Sequence, residues 1–260
     1  MDSWGSRVLN RGFRRYVRRF VKSSFNAVRV AGAEHARGLT TGSVVIYVNH
    51  PGWWDPMAAV LFTDLLLHGR KFAAPMDAAA LTRYPILERL GFFGVERESA
   101  AGAREFLRQS RRVLEHGQTA LWITPAGRFH DVREVVPFQS GLSHLVDRSF
   151  VGSVLPMALE YAFCNERRPE LLARFGPAID CRGLPEERAE RTAFLEQRLA
   201  EQQTELTRQA LERSGAAFER LLAGASGIGG VYDAWRRLTC WLRGGNFDAR
   251  HETSAGGGQT

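Results

Sequence analysis

Cysteine is scarce in this 260-residue chain: Cys164, Cys181 and Cys240 are scattered, odd in number and include no CxxC pair. That distribution points to neither a disulfide framework nor a cysteine zinc site, and it fits a reducing cytoplasm. Long apolar runs are also missing. None approaches the roughly 20 residues needed to span a bilayer, so any membrane is expected to be met at its surface. The N-terminal stretch lacks the uncharged apolar segment of a signal peptide, and export is not expected. There is no GxSxG nucleophile elbow, no HExxH pair and no Walker loop. The histidines do not fall at metal-ligand spacing with nearby carboxylates, and no metal is expected.

Positive charge, by contrast, is abundant and unevenly placed. The formal net charge is +7, and residues 1–37 hold nine Arg/Lys against Asp2 and Glu34, so the remainder of the chain is neutral. Within this block Phe13, Tyr16, Val17, Phe20 and Val21 recur at helical three-and-four spacing, while Arg11, Arg14, Arg15, Arg18, Arg19 and Lys22 take the other positions. This is the pattern of an interfacial helix on an anionic membrane. It equally describes a helix whose apolar face packs on the protein's own core, and both can hold together. A nucleic-acid partner is not expected, because the aromatics lie on the apolar face and form no stacking platform.

With 44% apolar residues the chain can bury a large core. From Ser43 to about Phe163 short apolar runs alternate with helical patterns: SVVIYV, KFAAP, FFGV, TALWIT and SVLPMALEYAF are the expected strands. AREFLRQSRRVLEH is an expected helix, with Gly117 as its C-terminal cap. This predicts an α/β fold with a mixed, largely parallel sheet flanked by helices. A charged helix is expected from about Glu186 to Leu222, with Phe194, Leu195, Leu199, Leu206 and Leu211 as its apolar positions. After GASGIGG a second amphipathic helix carries Trp235 and Trp241. The resulting division is a basic membrane-association segment at 1–37, an α/β core at 38–185, C-terminal helices at 186–247 and a disordered tail at 248–260.

The densest chemistry lies in VNHPGWWDP, Val48 to Pro56. His50 falls just past an expected strand, at the carboxyl edge where ligands of open α/β sheets bind. Asp55 before Pro56 reads as a helix N-cap. If Pro51 and Gly52 turn the chain back, one Asp55 oxygen can also hold the imidazole N–H, leaving the other ring nitrogen to take a proton from a hydroxyl. The spacing by itself does not choose between a cap with a loop histidine and an oriented base.

Four blocks in order do choose. NHPGWWD (49–55), GFFGVER ending at Arg97, ITPAGRF (123–129) and VLPMALEY around Pro156 resemble the motifs of the PlsC-type glycerolipid acyltransferases, which include the 1-acylglycerol-3-phosphate acyltransferases. The resemblance covers roughly residues 43–162. It implies direct acyl transfer from acyl-CoA or acyl-carrier protein, a co-substrate rather than a cofactor, to the hydroxyl of a lysophosphatidate-like lysophospholipid or related lipid. It further implies His50 as general base and Asp55 as its orienting partner. The missing nucleophile elbow agrees with a direct mechanism. Arg97 and Arg128, with Gly127 and Ala126 beside the latter, are the candidates for holding the acceptor's phosphate. Trp53 and Trp54 are weaker candidates for a channel wall.

The third block departs from the family's FPEGTRS. Ala126 stands where a glutamate is usual, and Arg128 follows Gly127 with no threonine between. Alanine can neither hydrogen-bond an acceptor nor order a neighbouring arginine. Two readings follow: a peripheral, cytoplasmic acyltransferase, or a catalytically impaired membrane- or lipid-binding protein on the same scaffold. His130 is expected in a solvated loop, His116 at a helix end and His144 in a helix.

Overall fold

In a computed structural model, which describes residues 4–97, 99–164, 166–212 and 217–224, the chain forms eight strands. They are β1 (Ala27–Ala31), β2 (Val44–Val48), β3 (Lys71–Asp77), β4 (Phe92–Val95), β5 (Thr119–Ile123), β6 (Ser153–Ala162), β7 (Glu170–Phe175) and β8 (Glu219–Ala223). The helices are α1 (Trp4–Ser24), α2 (Ala33–Arg37), α3 (Asp55–Leu66), α4 (Ala78–Arg83), α5 (Ile86–Arg89), α6 (Ala100–Leu114), α7 (Gly141–Leu145) and α8 (Arg188–Leu211).

The strands make one sheet in the order β4-β3-β5-β2-β6-β7-β1-β8. Pairings β3–β4, β3–β5, β2–β5, β2–β6 and β1–β7 are parallel, whereas β6–β7 and β1–β8 are antiparallel. The mixed, largely parallel α/β sheet expected from the alternating pattern is therefore what forms. Because β2 to β6 all run the same way, the segments that leave β2, β4, β5 and β6 emerge at one edge.

Every residue of β2 and β5 is buried, as befits parallel strands covered on both faces. Val44, Ile46 and Val48 join Val17 and Val21 of α1 and the apolar face of α3 in one core layer. Val45 and Tyr47 point the other way, into a layer with Leu142 and Leu145 of α7, Leu195 and Leu199 of α8, and Phe106 and Leu107 of α6. The sheet thus carries α1 and α3 on one side and α6, α7 and α8 on the other.

Three strands depart from the expected organisation. The segment read as 1–37 contributes β1 to the sheet, so the structural core begins before residue 38. β7 was not anticipated because its in-sheet polar residues disguise it: Glu170 accepts from Arg29 Nε at 2.7 Å and Nη2 at 3.1 Å, and from Asn26 at 3.1 Å. The helix expected to reach Leu222 ends at Leu211, and Glu219–Ala223 instead pairs antiparallel with β1. Apolar spacing continues through this region, but edge pairing to a distant strand outweighs it. The expected Trp235/Trp241 helix and the tail lie outside the described residues.

The apolar face of α1 packs on the protein. Val17 and Val21 are fully buried, and Arg14 reaches Asp64 of α3 at 3.2 Å. Arg11, Arg15, Arg18, Arg19 and Lys22 remain exposed. Truncating Val21 to Ala removes two methyl groups from this contact and is expected to cost about 2 kcal/mol in a urea unfolding experiment. An unchanged midpoint would mean that α1 is not part of the folded core.

Candidate active site

Asn49 sets the geometry where β2 ends. Its side chain accepts the Leu159 N–H at 2.8 Å and donates to the Leu159 carbonyl at 2.9 Å, continuing the ladder to β6 with amide atoms in place of backbone. Pro51 and Gly52 then turn the chain, and α3 starts at Asp55 with Pro56 in its first turn.

Asp55 is not the N-cap: Trp54 holds that position, and no side chain caps the helix. The carboxylate is buried and fully engaged elsewhere. Its Oδ2 lies 2.5 Å from His50 Nδ1 and accepts the Gly52 N–H at 3.3 Å, and its Oδ1 accepts the Tyr161 hydroxyl at 2.6 Å. A carboxylate has only acceptors to offer, so this pairing assigns the proton to Nδ1 and leaves Nε2 as the basic nitrogen. The start of α3 also favours negative charge at residue 55. Desolvation, reinforced by the neighbouring Asp55 charge, pushes the Tyr161 phenol well above its ordinary range, so it stays protonated and donates.

The imidazole is partly accessible. The ring of Phe129 lies over it, with centroids 4.2 Å apart, while the His50 carbonyl accepts the N–H of His130 at 3.1 Å. His130 is therefore buried against the site and is not a solvated loop residue. These contacts bring the third block onto the first.

Within that block Ala126 is buried. Gly127 has φ of +69°, a conformation that favours glycine, and a Cβ there would stand 2.5 Å from Gln139 Nε2 and push that side chain aside. Arg128 is exposed, and its Nη2 lies 2.5 Å from Glu134 Oε1. The same ion pair holds the Glu134 carboxyl below its usual range. A carboxylate six positions downstream thus orders Arg128, a role that the alanine at 126 had been expected to leave unfilled. Arg97 is exposed, with Nε 2.9 Å from Asp77 Oδ2 at the end of β3.

The two tryptophans belong to the junction with α1. Trp54 packs on Phe20 and Phe25 with ring centroids 5.0 and 4.9 Å away, and Trp53 is exposed beside Phe20. His144 lies on α7 with Nε2 3.2 Å from Arg188, and His116 is exposed beyond α6. Sequence reasoning missed Asn49, Phe129, Glu134 and Tyr161. Tyr161 ends the fourth block, but nothing in its neighbourhood announces a partner 106 positions away.

With this geometry in place, comparison with known proteins gives three results. A family model described as Acyltransferase matches residues 27–160. Among solved structures, the chain is similar to the 1-acyl-sn-glycerophosphate (LPA) acyltransferase PlsC from Thermotoga maritima. The TM-score is 0.57 at 15% identity, with 78% of this chain and 81% of that chain covered, a likeness of fold. No curated protein matches. The family match spans more than half of the chain, and the chain belongs to the acyltransferase family. No helix among the described residues is long and apolar enough to cross a membrane.

Replacing Tyr161 with Phe leaves Oδ1 of Asp55 without its donor and concentrates the carboxylate's charge on His50, favouring the protonated ring. Acyl-transfer turnover is expected to fall about tenfold, the equivalent of roughly 1.4 kcal/mol. The acid limb of the rate–pH profile should also move to higher pH. A uniform fall in rate with an unmoved limb would reduce Tyr161 to a packing role.

Proposed function

We propose that this acyltransferase moves a fatty acyl chain from a thioester, acyl-CoA or acyl-carrier protein, to the hydroxyl of a lysophosphatidate-like lysophospholipid or related lipid. The single observation that carries this reading is the buried Asp55 carboxylate held against His50 Nδ1 at 2.5 Å. The acceptor hydroxyl gives its proton to His50 Nε2 as its oxygen attacks the thioester carbonyl. The new C–O bond forms, the C–S bond breaks, and the proton passes to the departing thiolate. The thioester is already activated, so positioning and one oriented base suffice, and no acyl-enzyme is needed.

Arg128 and Arg97 are the phosphate-holding groups in this reading. Each guanidinium is exposed and oriented by one carboxylate, Glu134 or Asp77, and fork-shaped donors match phosphate oxygens. The alternative, a lipid-binding protein that has lost catalysis, draws on Ala126 alone, and the Glu134–Arg128 pair weakens its premise.

A peripheral position on an anionic membrane, on the cytoplasmic side, completes the proposal. The exposed cations of α1 supply the electrostatic part. Trp53, Phe129 and Phe163 are exposed where the chain leaves β2, β5 and β6, and Tyr16 is exposed on α1. These aromatics surround the edge that holds His50 and adjoin the basic helix through Phe20 and Trp53, which suits an acceptor drawn from the lipid surface.

His50→Ala is expected to lower acyl transfer to a lyso-lipid by at least about 100-fold, the ordinary worth of a positioned base. Unchanged transfer would refute the mechanism, and free fatty acid as the main product would mark a hydrolase. If the unaltered protein is inactive and Ala126→Glu restores turnover, the impaired-enzyme reading stands instead. Co-sedimentation with anionic vesicles is expected to fall several-fold in high salt, and again when Arg15, Arg18 and Arg19 are changed to Gln. Insensitivity to both would remove the electrostatic anchor.

A further inference from the structure

We propose that the exposed face of α6 is a docking surface for a small acidic carrier protein bearing the acyl thioester. This deepens, and rests on, the acyl-transfer reading, and it selects a protein-bound donor over free acyl-CoA.

Arg104, Arg108, Arg111 and Arg112 line one shallow groove on α6 together with Leu107 and one carboxylate, Glu115. Residues 104, 108 and 111 follow the helical repeat along a single face. Arg108 is partnered by Glu105 at 2.6 Å; among the described residues, no ion pair engages Arg104, Arg111 or Arg112. The positive field continues onto the neighbouring helices. His144 of α7 is held below its ordinary range by desolvation and then by Arg188, Arg191 and Arg111, which marks several cations converging on one side of the fold. Asp147, just beyond α7, shares the field of Arg191 and Arg111 and offsets part of it, and an anionic surface relieves the remainder.

The position of this face decides what kind of anion it meets. α1 and α6 lie on opposite sides of the sheet, as the alternation of Val44, Ile46 and Val48 against Val45 and Tyr47 establishes. A flat bilayer engaged by the cations of α1 cannot also reach the outer face of α6. The partner on that side is therefore soluble. Arginines spread over residues 104–112, about two and a half helical turns, with Leu107 between them, fit an acidic helix better than one small anion.

The face is also tied to the reaction edge. α6 begins five residues beyond β4, capped by Ser99 whose hydroxyl accepts the Gly102 N–H at 2.9 Å. Phe106 packs against Gly141, Gln139 packs against Gly127, and Phe129 covers His50. Phe106, on the core side of α6, thus joins the helix to the third block, and a carrier seated on the arginine face can deliver its thioester arm over the same edge that the lipid acceptor reaches from the α1 side.

The test gives the full chain the same acyl group on an acidic carrier protein and on CoA, with a charge-reversed variant, Arg104→Glu/Arg111→Glu/Arg112→Glu, and a milder Gln version. The variants should raise the KM for the carrier-linked donor at least tenfold, graded from Gln to Glu, and leave the CoA-linked donor within about twofold. The unaltered protein's KM for the carrier-linked donor should rise with salt. Equal effects on both donors, no effect on the carrier-linked one, or transfer from CoA alone would each overturn the proposal, as would loss of vesicle binding in the variants. Titration with the unacylated carrier separates this from failure of the acyl-transfer reading. Binding that the variants abolish supports the docking surface even in a protein that transfers nothing; absence of binding to the unaltered protein refutes it.

Discussion

A buried carboxylate is costly unless its oxygens are satisfied, and Asp55 meets that cost with three donors from two places: His50 and Gly52 on its own loop, and Tyr161 from β6. Each donor constrains something beyond itself. His50 is turned so that one nitrogen faces the edge, Gly52 holds the turn closed, and Tyr161 fixes the loop to the sheet. Asn49 adds a second tie to β6 through Leu159. The loop that carries His50 is therefore positioned by the central strands, which the parallel pairing of β2 with β6 makes possible.

The same constraint extends outward through aromatic contacts. Tyr161 packs on Phe25, Phe25 on Trp54, Trp54 on Phe20, and Phe20 on Tyr16, with ring centroids between 4.9 and 5.8 Å apart. This track runs from the aspartate to the exposed face of α1, so the basic helix is continuous with the packing that orients the site. A helix chosen only for lipid binding would not need to insert Val17 and Val21 into the core. The amphipathic pattern accommodates core packing and exposed cations together because the two occupy different parts of its circumference.

How much of this was legible depended on how local each signal is. The five apolar strands, the α6 helix and the His50/Asp55 spacing are short-range patterns, and they are where the sequence placed them. The misreadings share a cause. β8 carries a helical apolar spacing, and β7 and β1 carry no strand signal of their own, because their identity rests on pairing with strands remote in the chain. In β7, Glu170 resembles a surface residue until Arg29 and Asn26 are brought to it. Asp55 was read as a helix cap for a related reason: Asp-Pro is a sound local signal, but the tertiary donors of Tyr161 and His50 claim the oxygens that a cap would use.

The departure at residue 126 shows what a motif comparison alone misses. Reading the block letter by letter, a carboxylate is lost beside Arg128. In space the arginine has one, because the chain after Gly127 brings Glu134 to it. Gly127 holds a backbone conformation that a side chain would strain, and Gln139 occupies the space where its Cβ would lie. The carboxylate beside this guanidinium therefore comes from position 134 and not from position 126. The exchange has a physical consequence. A buried position such as 126 would hold a carboxylate against desolvation, whereas Glu134 lies in solvent, where a competing phosphate can more readily displace it from Arg128. Ion pairing then orders the arginine without sequestering it, the behaviour that the proposed phosphate-holding role requires.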